Sequence, residues 1–439
     1  MTILDEAGTP DVLSPLCGLR SLSEELSDVL IVLVGTRSEV HLSRLLPGAL
    51  TADYSPGERV RFILLDPETK VRQGSVASGV AEAADGLAGI SAGLIVCGRP
   101  ARQLGVDAAF EARLAERRLG VPVRAVGLEP EGSRILSTDL EDRALAALVD
   151  LCPAATGEIA PTPPPKGRTG RLFGGLFGTG RPERPGREQS RRVVLLGAGS
   201  PPGAWQELAS ELDRLGVEVA GGLPGLGAAS LPALGEGVVV AACSPYLPTA
   251  VRAAAERGAL VVRSLLPIGI GGTSRFLQDV ASAAGLDVKW AGGPHPTWEE
   301  LEPLRSRIRG KRIFFAGDTG LELPLARFLA DAGAVIVEVG VPRLDRRVLS
   351  AEIQALGGEV DVVEAPDPEG QMERIESSRP DIVVASPGLH VPLAARGWLC
   401  CQSTELMQLG VYGYRGARRV LEFLCSTLDR AEDLDSIKL

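Results

Sequence analysis

The sequence predicts an α/β protein built as three Rossmann-like lobes in series, each on a parallel sheet. Three observations predict it. A short β-branched run, a Gly-rich turn and an amphipathic stretch recur in that order along the chain, the alternation of a parallel α/β fold. The strand runs are nearly continuous in apolar residues, as in strands covered on both faces. A chain of 439 residues also exceeds what one core accommodates.

The first lobe is drawn at residues 1–152. Its strands are expected at Val29–Val34, Val60–Leu65, Gly93–Val96 and Val121–Val126, its helices at Glu39–Leu46, Ala108–Arg118 and Glu141–Leu151. Asp107 suits the N-cap of the second helix. Composition changes at Pro153: from there to Arg192 the chain holds seven Pro and seven Arg. Residues 153–191 therefore read as an extended linker. Its apolar centre, Leu172-Phe173-Gly174-Gly175-Leu176-Phe177, is either part of a solvated spacer or a patch that touches a partner or membrane.

The second lobe is drawn at 192–307. Val193–Leu196 enters a Gly-rich turn, and Trp205, Leu208, Leu212 and Leu215 line one face of the helix that follows. Further strands are expected at Val238–Ala242 and Leu260–Val262. The third lobe, 308–439, has strands at Arg312–Ala316, Val335–Val339, Val360–Val363 and Asp381–Ala385. Its helix Leu321–Ala332 carries Leu321, Leu325, Phe328 and Leu329 on one stripe, with Pro324 in the tolerant first turn. Tyr414–Leu424 reads as a terminal helix.

A net charge of −10 argues against nucleic-acid binding by the surface as a whole. Met1–Ser27 lacks a signal-peptide pattern, and no apolar stretch is long enough to cross a bilayer, so the expected location is cytoplasmic. Seven scattered cysteines do not form a disulfide framework; core packing or metal ligation remain open. The only histidines are His41, His295 and His390, too few for a His-rich metal centre.

The turns at strand ends carry the candidate chemistry. Gly197-Ala-Gly-Ser-Pro-Pro-Gly203 is spaced GxGxxxG, and its prolines remove backbone donors, which makes a structural turn the better reading than a dinucleotide loop. No phosphate-binding P-loop sequence occurs, so no nucleotide is expected on this chain. Pro267-Ile-Gly-Ile-Gly-Gly-Thr273-Ser274 has more glycines than a helix cap needs, so Gly269, Gly271 and Thr273 are candidates to face a ligand, beside plain capping. Asp318 follows a strand and precedes a helix, as a ligand-facing acid or an N-cap would. His390, in Ser386-Pro-Gly-Leu-His390, is a candidate proton donor or a structural histidine. Adjacent Cys400 and Cys401 read as core packing plus a surface thiol.

From Gly310 onwards the residues resemble a known family. Gly310-Lys-Arg-Ile-Phe-Phe, Asp318-Thr-Gly-Leu-Glu-Leu-Pro-Leu-Ala-Arg-Phe-Leu329 and Ile336-Val-Glu-Val-Gly-Val-Pro342 closely resemble subunit N of light-independent protochlorophyllide reductase, of the nitrogenase component 1-like superfamily. Pro380-Asp-Ile-Val-Val, Pro387-Gly-Leu and Pro392-Leu-Ala-Ala-Arg-Gly397 continue the likeness. Leu266-Pro-Ile-Gly-Ile-Gly-Gly-Thr273 is similar to a loop near that family's pigment cavity. The likeness covers Arg192 to Leu424 strongly and the first lobe more weakly.

The resemblance implies a nitrogenase component 1-like fold and a role in (bacterio)chlorophyll biosynthesis. It implies pairing with a B-like chain in a two-fold symmetric heterotetramer. It also implies a [4Fe–4S] cluster shared between the two chains, an ATP-hydrolysing iron protein as electron donor, and a tetrapyrrole reduced at the C17–C18 bond. The pigment-side candidates under this resemblance are Gly269, Gly271, Thr273, Asp318 and His390.

The ligand positions depart from the family. Cys17 falls on the first of three expected cysteines. Glu39 stands in the second register. Arg99 stands in the third, with Cys97 two residues earlier. A Cys17/Glu39/Cys97 ligand set is one expectation, since carboxylates can ligate cluster iron and Arg99 cannot. Cys401-Gln402 stands where the family has Lys-Trp. Two functions stay open: a reductase component acting on protochlorophyllide or a related tetrapyrrole, and a cluster-free paralogue serving assembly, delivery or regulation.

Overall fold

The computed structural model describes residues 2–6, 8, 18–41, 43, 59–65, 76–128, 138–155, 191–197, 203–286, 298–317, 319–357 and 360–437. They form three parallel sheets. The first orders its strands β3-β2-β4-β5: β2 is Val29–Gly35, β3 Val60–Leu64, β4 Ala92–Cys97 and β5 Val123–Gly127. The second repeats that order as β7-β6-β8-β9, with β6 Arg192–Leu196, β7 Val219–Leu223, β8 Val238–Ala242 and β9 Leu260–Val262. The third is β1-β12-β11-β10-β13-β14, where β10 is Arg312–Ala316, β11 Val335–Val341, β12 Asp361–Glu364, β13 Ile382–Ala385 and β14 Cys400–Gln402.

β1, Thr2–Asp5, corrects the expected lobe boundary: it pairs with β12 in parallel, so the N-terminus belongs to the third sheet. That pairing joins residues too far apart in sequence for local pattern to reveal. β5 starts at Val123 rather than Val121, because Gly120 closes the preceding helix in the left-handed region and Pro122 has no N–H for the ladder. Asp107 caps that helix as expected, accepting from Phe110 N at 2.9 Å. The expected linker lies almost wholly outside the described residues, as does much of the stretch expected to be the helix Glu39–Leu46.

The middle sheet feeds two cores, because successive side chains leave a strand on opposite faces. Val193 and Leu195 of β6 pack with the third lobe, while Val194 and Leu196 pack with the first. In the first lobe Leu94 and Val96 of β4 face that shared core, and Ile95 and Cys97 face outward under the helices Val76–Ala84 and Ala108–Leu119.

Side chains stitch the lobes together through backbone groups that would otherwise lack partners. Asp28 accepts from Ala228 N and Ala229 N at 2.6 and 2.9 Å. Asp142 accepts from Thr249 N and Ala250 N, capping from another lobe the helix Pro248–Glu256, whose own N-cap Leu247 cannot do so. Arg327, 2% exposed, binds Glu352 at 2.6 Å across helices of the third lobe and donates to the Ile268 carbonyl at 3.0 Å.

Candidate functional site

Open parallel sheets bind ligands outside the carboxyl ends of their strands, where the strand order reverses. Here those points lie between β2 and β4, β6 and β8, and β10 and β13.

In the first lobe β2 ends at Gly35, and residues 37–41 form a helical turn. Thr36 and Glu39 make a reciprocal cap at its start. Thr36 N donates to Glu39 Oε2 at 2.9 Å, and Glu39 N donates to Thr36 Oγ1 at 3.5 Å. The other carboxylate oxygen, Oε1, lies against Gly98, so that a Cβ there would run into it. Glu39 and the Cys97–Gly98 corner are thus brought together. Cys97 itself is buried in the outer core. Burial, then the Glu39 and Glu111 carboxylates, push its thiol up to about 12. Arg99 is exposed and begins the helix Arg99–Gln103. Cys17 lies outside the described residues. Among those described, no three His, Cys, Asp or Glu side chains converge as a metal site. A protonated thiol and a carboxylate already used as a cap do not fit a half-site for a thiolate-bound cluster.

The third lobe repeats the device. Thr319 N and Oγ1 donate to Glu322 Oε1 at 2.6 and 2.8 Å, and that oxygen sits 2.5 Å from where a Cβ on Gly317 would be. Asp318 lies outside the described residues. His390 is in the first turn of the helix Pro387–Ala395, its backbone N–H donating to Ser386 O at 2.9 Å.

The glycines of the Gly-rich loop pack against a neighbouring helix. Gly269 begins the helix Gly269–Ala283, and the glycines serve contact with the helix Glu322–Asp331. A Cβ on Gly269 would sit 2.6 Å from Phe328 Cγ, and one on Gly272 would meet the Arg327 guanidinium and lie 2.6 Å from Leu266 O. Gly269 is buried and Thr273 fully so; only Gly271 is exposed. None of Gly269, Gly271, Thr273 and His390 lines the cleft between the second and third lobes.

A cleft of about 1250 Å³ opens instead between the second and third lobes, at the carboxyl ends of β8 and β9. Val251, Val262 and Val348 supply apolar wall, and Arg252, Arg263 and Arg275 supply cations. Arg275 is held by Asp279 at 2.8 Å, which also takes Ser264 Oγ at 2.8 Å. The sequence reading missed these residues: they come from separate elements, and the available signal was only that Arg263 and Ser264 directly follow a strand.

Where the lobes meet, Glu25 is buried and Glu141 half-buried, and among the described residues neither forms an ion pair. Burial, Glu141 and Glu24 push Glu25 up to about 9. Burial and Asp142 push Glu141 up to about 7. Both groups hold protons in the folded chain that the unfolded chain releases near 4.5. Their contribution is therefore complete below that pH and is lost as pH rises through about 7 and about 9. Urea denaturation is expected to show stability falling from pH 5 to 9, and Glu25→Gln with Glu141→Gln should flatten the profile. A profile unchanged by the substitutions would show that other groups set it.

The family described as nitrogenase component 1 type oxidoreductase matches residues 121–429. Light-independent protochlorophyllide reductase subunit N of Roseiflexus sp. (strain RS-1) is 41% identical over 248 residues, 56% of this chain and 59% of that one. The subunit N of Heliobacterium modesticaldum (strain ATCC 51547 / Ice1) is 36% identical over 72% of this chain and 71% of its own. That of Synechococcus sp. (strain CC9605) is 29% identical over 98% and 95%. The chain thus spans 59% of the length of the Roseiflexus relative. A solved nitrogenase Cp1 superposes with a TM-score of 0.68 at 15% identity, covering 97% of this chain and 93% of that one, a likeness of fold. Among the described residues no helix is long and apolar enough to cross a membrane.

Proposed function

The chain belongs to the family of nitrogenase component 1 type oxidoreductases, and we propose that it serves there as an N-like component of a reductase acting on protochlorophyllide or a related tetrapyrrole. The observation that carries this reading is the extent of the family match, which runs from the end of the first lobe through the C-terminal helix and so takes in the whole junction of the second and third lobes. In this reading a B-like chain is the partner, and a separate ATP-hydrolysing iron protein supplies electrons. This chain binds no nucleotide. A [4Fe–4S] cluster, in a complex that carries one, supplies low-potential one-electron transfer.

The chain's own contribution is to hold the substrate. A tetrapyrrole has a wide apolar face and carboxyl groups at its rim. The inter-lobe cleft offers apolar wall together with Arg252, Arg263 and Arg275, beside Asp279, Asp345 and Glu352, and the arginines suit carboxylates. Asp279 fixes Arg275, so the cation is positioned before the ligand arrives.

Protochlorophyllide titrated into the chain, alone and co-expressed with its B-like neighbour, tests this. The expected result is a saturable change in pigment absorbance, with Arg263→Ala weakening binding about tenfold. Arg263 is exposed, so the substitution leaves the fold intact. No binding by either preparation would sink the tetrapyrrole reading, and failure of the two chains to co-purify would sink the subunit reading.

A further inference from the structure

We propose that the turn between β2 and β4 in this chain is a closed structural cap rather than half of a cluster site, so that any cluster in its complexes takes its ligands from elsewhere. The inference rests on the N-like reading, since that reading is what leads one to expect a cluster at this turn.

Internal repetition is the main support. Gly35-Thr36-x-x-Glu39 and Gly317-x-Thr319-x-x-Glu322 occupy the same place in two lobes: just past the strand beside which the order reverses. Both threonines donate backbone N–H to the glutamate three residues on, and both glutamates close over the preceding glycine. A Cβ on Gly35 would lie 2.6 Å from Glu39 Oε2, and one on Gly317 would lie 2.5 Å from Glu322 Oε1. The third-lobe copy is closed to solvent, its glutamate 1% exposed with one carboxylate oxygen engaged by Thr319. The first-lobe copy makes the same cap and the same contact with its glycine.

The neighbouring positions are closely packed. Glu39 Oε1 lies against Gly98, so that a Cβ there would run into it. Cys97 lies on the face of β4 turned away from the second lobe, among Leu30, Val32, Val34 and Val80. Turning toward Glu39 would require it to leave that packing. Arg99 follows at once as an exposed cation. Of the three expected positions only Cys17 retains a thiol, and one thiolate does not hold half of a cluster that needs four ligands.

The test uses two preparations handled without oxygen. The chain alone is incubated with ferrous iron, sulfide and dithiothreitol, then desalted. The complex with the B-like neighbour is purified directly. Iron, acid-labile sulfide and absorbance near 400 nm are read on each, for the natural chain, Glu39→Gln and Cys97→Ala. The chain alone is expected to retain no chromophore. Whatever iron the complex carries should be unchanged in both variants. Glu39→Gln should instead lower Tm by about 1–3 °C, as loss of a helix cap does. A chromophore in the chain alone that disappears in Cys97→Ala, or about four irons per heterodimer lost in Glu39→Gln at unchanged Tm, would overturn the inference. If no complex forms, the subunit reading fails while the experiment on the isolated chain still decides the cap.

Discussion

Arg327→Ala is expected to destabilise the chain by about 3–5 kcal/mol, the cost of breaking a buried ion pair from one side. Arg327 and Glu352 are each 2% exposed and meet at 2.6 Å. The pair does more than neutralise itself. Arg327 donates to the carbonyls of Leu266 and Ile268 at 3.3 and 3.0 Å, and Glu352 Oε1 accepts from Leu266 N at 2.7 Å. Together they satisfy the turn by which the second lobe meets the third. Alanine leaves a buried carboxylate without its guanidinium and takes a donor from the carbonyls of Leu266 and Ile268, of which Leu266 O keeps the Ile268 N–H. Urea denaturation of the variant measures the loss, and a change below about 1 kcal/mol would mean that water replaces the guanidinium. Arg327→Met with Glu352→Leu should recover part of the loss by removing the stranded charge. It should not recover all of it, because the turn's backbone groups lose their side-chain partners. Leu266 and Glu352 also line the inter-lobe cleft, so the single variant should weaken tetrapyrrole binding as well.

Periodicity and turn chemistry made the sheets legible. β8, β9 and β10 fall on the residues that their apolar runs predict, because each run is bounded by turn signals, and β8 and β10 are largely buried on both faces. β1 was not legible: Thr2–Asp5 is an unremarkable tetrapeptide whose strand character comes from pairing with residues 361–364. The site was harder for the same reason. Thr36-x-x-Glu39 is readable as a capping box, yet its register against related chains drew attention to metal ligation instead. What separates the two readings is the folded chain: the same cap recurs in the third lobe, and Glu39 meets Gly98, some sixty residues on. Arg252, Arg263 and Arg275 carry no local motif, and they share a cleft because a helix, a strand end and a second helix converge there.

Gly269→Ala is the second large effect, about 2–4 kcal/mol destabilising, from overpacking added to a strained backbone. Gly269 has φ of 73°, in the left-handed region where a side chain is disfavoured. Its Cβ would also lie 2.6 and 2.7 Å from Cγ and Cβ of Phe328. Phe328 is fully buried and stacked on Trp298 with centroids 6.1 Å apart, so it has little room to yield. Gly271, two residues on, makes the contrast. It is exposed, has no positive φ, and its Cβ would find only Asp331 Oδ2 at 3.4 Å. Gly271→Ala should be neutral or stabilise by up to about 1 kcal/mol, because alanine loses less chain entropy on entering a helix. A loop whose glycines let a ligand approach would respond differently: Gly271→Ala would weaken binding at an unchanged Tm. A helix start whose glycine admits Phe328 requires the opposite pattern, with Gly269→Ala lowering Tm and Gly271→Ala leaving both Tm and binding close to the natural chain. Thermal melts beside protochlorophyllide titrations of the two variants separate the cases, since each reading predicts a different variable to change.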